Sequence, residues 1–181
     1  MPRITRGSTP APSRRAATAR SPGRWPTPAD GMWTNTLKPL RAAGLDPVSY
    51  DQVRANPGIA LVDAGARYYQ SERCDGLVAI GGGSSIDAAK GIGVVVVHGG
   101  SIAQYEWGKD PIHSRIPPLV AVPTTAGTGS EVTLWAVITD PDRKVKFNVG
   151  GTPNIASWVA LVDPALSVNL PAGVTAPAWT R

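Results

Sequence analysis

Cysteine occurs once in the 181 residues, at Cys74, which excludes a disulfide scaffold and a cysteine-based zinc site. Histidine occurs only as His98 and His113, too few for a multi-histidine metal centre, and neither has a partner at a metal-ligand spacing. No stretch approaches ~18 consecutive apolar residues, the length a membrane-crossing helix needs. No apolar h-region of a secretory signal is present either. Together these point to a cytoplasmic chain with no membrane partner. Acidic residues are missing from residues 1–29, which carry six arginines (Arg3, Arg6, Arg14, Arg15, Arg20, Arg24) and six prolines. Without those six arginines the chain has 12 basic against 13 acidic residues, so the net charge of +5 belongs to this tail. Overall basicity is therefore no argument for a nucleic-acid partner of the remainder.

Residues 1–29 are mostly Arg, Pro, Ser, Thr and Ala, and such a stretch buries too little surface to offset its ordering entropy. A disordered basic leader is expected there. An arm binding nucleic-acid phosphates and an organelle transit peptide share that composition, although the prolines spoil the amphipathic helix a transit peptide needs. Residues 30–181 are expected to form one α/β domain of ordinary size.

Within it, residues 34–43 read as a helix interrupted by Pro39 and stopped by Gly44, and Pro47–Tyr50 as a short extended piece. Residues 58–73 place Ile59, Val62, Ala66 and Tyr69 at helical spacing. Leu77–Ile80 and Leu119–Val122 are short apolar runs of the kind that form buried parallel strands. Residues 132–139 and 144–149 predict a hairpin around Asp140-Pro141-Asp142. Trp158–Val162 predicts a last strand closed by Asp163-Pro164, and no internal repeat is present.

Two loops carry the chemistry. Gly81–Lys90 (GGGSSIDAAK) follows a predicted strand and opens a helix that Ser84 or Ser85 can cap. Glycines there let backbone approach a pyrophosphate, and free helix-start amides neutralise it. The spacing is neither G-x-G-x-x-G, since Ile86 stands at the third glycine, nor that of a P-loop. Pro123–Glu131 (PTTAGTGSE) follows the second strand. Its Thr124, Thr125, Thr128 and Ser130 offer hydroxyls to phosphate or ribose, and Gly127 and Gly129 permit unusual backbone angles. Each loop alone is an ordinary surface turn. Both at carboxyl ends of parallel strands share one rim, where α/β folds bind ligands. Lys144 and Lys146 flank the hairpin and could meet a phosphate or ribose. Ser130 lacks a G-x-S-x-G elbow, which argues against a hydrolase nucleophile.

GGGSSIDAAKGIG (Gly81–Gly93), PLVAVPTTAGTGSEVT (Pro118–Thr133), KVKF (Lys144–Phe147) and LVDPALSVNLP (Leu161–Pro171) occur in order, with Asn56-Pro57 and Cys74-Asp75 upstream. This pattern resembles the amino-terminal half of the iron-containing (group III) alcohol dehydrogenase family over roughly residues 30–180. The resemblance implies a Rossmann-like open parallel sheet with flanking helices and a β-hairpin. It also implies NAD or NADP as cofactor and an alcohol or aldehyde as substrate. By position, Gly82, Gly83, Ser84 and Asp87 would lie at the pyrophosphate, and Thr124 and Thr125 at phosphate or ribose. Thr133 and Trp135 would lie on the nicotinamide side, Lys146 at the ribose, and Leu166 near the adenine end.

The resemblance fails at both ends. The family's first strand, and the acidic residue that helps select the cofactor, are expected upstream of residue 34, where the arginine-proline leader stands. The family's Fe2+ or Zn2+ is held by an aspartate and three histidines in a carboxyl-terminal helical domain. Here Arg181 falls where that aspartate belongs, and a cation cannot replace an anionic ligand. The expectation is a truncated dehydrogenase with no catalytic or metal residues of its own, binding dinucleotide weakly without turnover. A sheet missing its first strand also predicts self-association through the open edge. Two rival readings are a relative of dehydroquinate synthase or glycerol-1-phosphate dehydrogenase, and a non-catalytic nucleotide-binding remnant whose leader binds nucleic acid.

Overall fold

Short apolar runs closed by glycine or proline become strands in the computed structural model, which describes residues 15–20, 37–168 and 170. In chain order the strands are β1 (Arg15–Arg20), β2 (Asp46–Tyr50), β3 (Gly76–Gly81), β4 (Leu119–Pro123), β5 (Trp135–Asp140), β6 (Val145–Gly150) and β7 (Val159–Ala160). Five of them form a wholly parallel sheet in the order β2-β1-β3-β4-β7, while β5 and β6 pair antiparallel as the expected hairpin. The chain steps from β1 to β2 in one direction and from β3 to β4 in the other. Such a reversal of winding opens a crevice at the carboxyl ends of the strands.

Helix α1 covers residues 37–42, and it ends as its sequence predicts. Gly44 adopts φ +80°, and the amides of Gly44 and Leu45 return to the carbonyls of Arg41 and Leu40, which satisfies groups the last turn leaves open. Helix α2 (Ile59–Ser71) buries Val62, Gly65, Ala66 and Tyr69, one stripe at helical spacing. Helix α3 (Gly83–His98) has no exposed face from Ser85 to Val95. It packs on the sheet through β3, on α2, and on the hairpin through β5. Close approach to α2 depends on Gly65, where a Cβ would stand 2.5 Å from Ile92 Cδ1.

Arg15–Arg20 (RAATAR) departs furthest from expectation. The leader reading and the missing first strand are both corrected here, because this segment is paired on both sides, with β2 and with β3. Backbone amides and carbonyls supply such a ladder whatever the side chains. The position between two strands is met by a residue as small as Ala17, which is 4% exposed. Two of the six leader arginines, Arg15 and Arg20, therefore belong to the sheet. The rest of the expected leader (1–14 and 21–29) and the expected domain boundary at residue 30 lie outside the described residues. The open edge expected from a missing first strand is filled; the sheet's edges are β2 and β7.

Smaller differences have local causes. The hairpin's first strand starts at Trp135 rather than residue 132, because residues 130–134 are held in turns against α3. Lys144 lies in the turn at φ +55° rather than in β6. The Asp140 carboxylate accepts the amides of Asp142 and Arg143 and the Arg143 Nε, which closes the hairpin at the predicted place.

Because β1 is an inner strand, Ala17→Glu places an unpaired carboxylate in a closed position. We expect a loss of about 3 kcal/mol in urea unfolding followed by tryptophan fluorescence; an unpaired leader would leave the midpoint unmoved.

Candidate functional site

Strand β3 runs straight into the glycine turn. Gly81 takes φ +146°, a region hostile to side chains, and a Cβ there would strike the Ser85 side chain. Gly82 is extended and N-caps α3 without any side-chain hydrogen bond. The expected serine cap is therefore corrected: α3 begins ahead of both serines, so they fall inside its first turn. Ser84 Oγ instead accepts the Asn56 amide at 3.3 Å, and Ser85 Oγ is buried without a partner. The opening amides of α3 are left for something other than a side chain.

Strand β4 delivers the second loop beside this turn, since Gly81 and Pro123 are register partners and the Thr124 amide donates to Gly81 O at 2.9 Å. Gly127 and Gly129 take φ +99° and +65°, as their loop requires. The two loops meet closely enough that a methyl group on Gly82 or Gly83 would press on side chains of the facing loop. A Cβ on Gly82 would lie 3.1 Å from Thr125 Oγ1, and one on Gly83 would lie 2.9 Å from Ser130 Oγ. A third wall comes from the β2–α2 connection, where Pro57 O accepts the Thr139 amide at 2.8 Å and ties Asn56-Pro57 to β5. These walls enclose a cleft of ≈ 590 Å³ lined by, among others, Asn56, Gly83, Ser84, Asp87, Thr125 and Lys146. That size suits a small-molecule ligand.

Of the residues expected at the site, Gly83, Ser84, Asp87, Thr125 and Lys146 line the cleft together, as do Gly127, Thr128 and Ser130 of the hydroxyl loop. Gly82 lies directly beneath Thr125. Thr124, Thr133, Trp135 and Leu166 are not among the lining residues. Thr133 and Trp135 turn their carbonyls to Lys90, and the Trp135 ring packs edge-on against Trp107. Leu166 lies in a single 3-10 turn after β7. Thr139 and Asn56 also line the cleft; the first was hidden within a strand, the second in a dipeptide whose place in the fold was not evident.

Lys90 was also missed. It is fully buried in α3, and its Nζ donates to Ser130 O (2.7 Å), Thr133 O (2.6 Å) and Trp135 O (3.0 Å). A lysine in a helix ordinarily marks a solvated face. The signal against that was available in its neighbours, since Ile86, Ala89, Gly93 and Val94 leave α3 no polar stripe. Burial pulls the Lys90 ammonium down to about 8, opposed by Asp87 and Glu131. Burial likewise pushes the Asp87 carboxyl up to about 6, against the Val137 amide, Lys90 and the Ser130 hydroxyl, which all favour its charge.

The donor set for a metal is poor. His98 Nε2 accepts the Ser114 amide at 3.1 Å, so its Nδ1 carries the proton and donates to Val94 O. Among the described residues no group of three or more His, Cys, Asp or Glu is placed to hold a metal ion.

The sequence matches the family model of the iron-containing alcohol dehydrogenases over residues 25–164. It is 51% identical over 148 residues to a choline dehydrogenase of Bacillus subtilis, covering 81% of this chain and 37% of that protein. It is 46% identical over 145 residues to an NAD-dependent methanol dehydrogenase of Bacillus methanolicus, covering 80% of this chain and 38% of the relative. The crystal structure of a 1,3-propanediol oxidoreductase superposes with a TM-score of 0.83 at 38% identity, over 91% of this chain and 42% of that one. The chain thus spans less than two-fifths of the length of either of these relatives.

Asp87 gives this site a pH signature. Its carboxyl titrates near 6 when folded against 3.8 ordinarily, so between those values the native state binds more protons and stability falls as pH rises. Asp87→Asn removes that penalty. The variant should exceed the parent by roughly 2–3 kcal/mol at pH 7 and match it near pH 4, as read from urea midpoints at the two pH values.

Proposed function

The chain belongs to the iron-containing alcohol dehydrogenase family, and from that membership we propose that its cleft is a nicotinamide-dinucleotide site. The reaction it serves is hydride exchange between an alcohol or aldehyde and NAD or NADP. The observation that carries the reading is Thr125 Oγ1. It is buried, has no hydrogen-bond partner, and lies against the glycine turn, where a Cβ on Gly82 would stand 3.1 Å from it. An unpaired buried hydroxyl costs about 1–3 kcal/mol, and a phosphate or ribose oxygen seated on the turn would relieve it.

The residues fit such a ligand in named roles. The amides of Gly82, Gly83 and Ser84, at the uncapped start of α3, serve the pyrophosphate. Thr125 and Thr128 hydrogen-bond a phosphate or ribose from the facing loop, with Thr124 holding that loop to Gly81. Lys146, exposed on the hairpin rim of the cleft, supplies positive charge to the ribose-phosphate end. Asp87 stands beneath the turn, where its charge is costly, and a hydroxyl of the ligand would offer it a donor. Thr133 and Trp135 act through the loop they anchor. The dinucleotide supplies the hydride acceptor or donor; the protein binds it, orients it and covers one side.

The family's metal does not fit the described residues, because His98 has both ring nitrogens engaged and no group of three or more His, Cys, Asp or Glu is placed to hold a metal ion. No step is routed through it. On this reading the polypeptide binds dinucleotide without oxidising alcohol by itself, and the relatives named for choline and methanol suggest a small alcohol as substrate class. A cytoplasmic setting completes the proposal; no helix among the described residues is long and apolar enough to cross a membrane.

Titration with NADH, followed by energy transfer from tryptophan, tests the reading through Thr125→Val. The substitution removes an orphaned hydroxyl, so the free protein should hold or gain stability in urea while NADH affinity drops about tenfold. Absence of NADH binding by the parent chain, or equal affinity in the variant, overturns it.

A further inference from the structure

Seven residues beyond Gly83, about two helical turns along α3, Lys90 stands in a place where charge is expensive. An ammonium has three N–H donors, and three carbonyls take them: Ser130 O, Thr133 O and Trp135 O, with Thr133 Oγ1 a further neighbour at 3.3 Å. None of the ion pairs among the described residues includes it. All three carbonyls lie within six consecutive residues, from Ser130 near the end of the hydroxyl loop to Trp135, the first residue of β5. Within that stretch the Val132 and Thr133 amides return to Gly129 O, and Leu134 O accepts the Gly151 amide at 2.9 Å. A methionine would fill the same volume without the cost of desolvating a charge. What the ammonium adds is a match of donors to backbone acceptors that no apolar side chain can offer.

We propose that Lys90 is a positioning residue for the cofactor cleft: its ammonium draws residues 130–135 onto α3 and so holds Thr128 and Ser130 against Gly83. The inference rests on the dinucleotide reading for its functional consequence, but the positioning itself is a property of the free protein.

Asp87 on α3 and Glu131 on the loop are the charged groups that bear on Lys90, both favouring its ionised form; β5 contributes only the Trp135 carbonyl. Burial brings the ammonium down to about 8 from 10.5. Between about 8 and 10.5 the unfolded chain binds more protons at this lysine, so stability from this group rises with pH, and a loop opening that wets the lysine follows the same sign. Removing the side chain, not raising the pH, therefore separates its hold on the loop from its electrostatic cost.

Amide hydrogen exchange on the full chain, corrected for intrinsic rates, tests this without a ligand. Protection of Val132 and Thr133 should fall about tenfold from the parent to Lys90→Met at pH 7, with β3 amides such as Ala79 unchanged and the urea midpoint not reduced. The NADH dissociation constant should rise by a similar factor. Lys90→Gln, which keeps two N–H donors, should fall between the parent and Lys90→Met in both readouts; should Lys90→Met not fold, Lys90→Gln decides. Loop protection equal to the parent's in the folded variants, or lost in step with β3, overturns the proposal. Loosening of the loop in a protein that binds no NADH would uphold the positioning role and sink the dinucleotide reading. NADH binding by a parent whose loop protection the substitutions leave unchanged would do the reverse.

Discussion

The cleft depends on two turns meeting at glycines, where a Cβ would press on the side chains of the facing loop. Gly82 lies under Thr125 and Gly83 under Thr128 and Ser130, at separations that already leave the side chains of one turn touching the backbone of the other. Everything else at the site keeps that approach in place. The register of β3 and β4 brings Gly81 beside Pro123, the Thr124 amide locks the two strand ends, and Lys90 pulls the far end of the loop down onto the helix. A generic strand–glycine–helix unit becomes a specific cradle only because a second loop is held against it from three directions.

The same approach explains why charge sits in the interior of α3. A helix wedged between a sheet, a hairpin and another helix has no wet face, yet Asp87 and Lys90 lie one turn apart on it. Both are displaced from ordinary titration toward neutrality by the same cause, loss of water, and each resists the displacement of the other. The pair is not a closed salt bridge. Asp87 faces the cleft and Lys90 faces backbone carbonyls, so one charge is offered to a ligand while the other is consumed in building the wall opposite it.

Much of this architecture was legible in the residues because it follows from short-range rules. Apolar runs at 77–80 and 119–122 became β3 and β4, the stripe through Val62, Ala66 and Tyr69 became α2, and Gly44 and the Asp140–Asp142 turn ended elements where their conformational freedom or side-chain acceptors dictated. The convergence of the two loops also followed, since parallel strands put their carboxyl ends on one rim. What escaped was decided by tertiary contacts. RAATAR has neither the bulk nor the hydrophobicity of a strand, and it becomes one through backbone pairing on both sides. Ser84 and Ser85 look like caps, but the glycine ahead of them starts the helix first. Lys90 reads as a surface charge until the three carbonyls of a loop forty residues away are placed around it.

The cleft draws its walls from Asn56 to Lys146, a contiguous stretch well inside the chain. Each wall is tied to the next by backbone hydrogen bonds from within that stretch: Thr139 to Pro57, Thr124 to Gly81, and Asn56 to Ser84 through a hydroxyl. The site therefore needs little from β7 and the turn after it, where Trp158, Val159, Leu161 and Val162 are all about half exposed or more. Hydrophobic surface of that kind contributes nothing to the cradle's geometry; its cost falls on the solubility of the fold. The geometry of the cradle and the packing of that apolar edge are thus separable demands on one polypeptide.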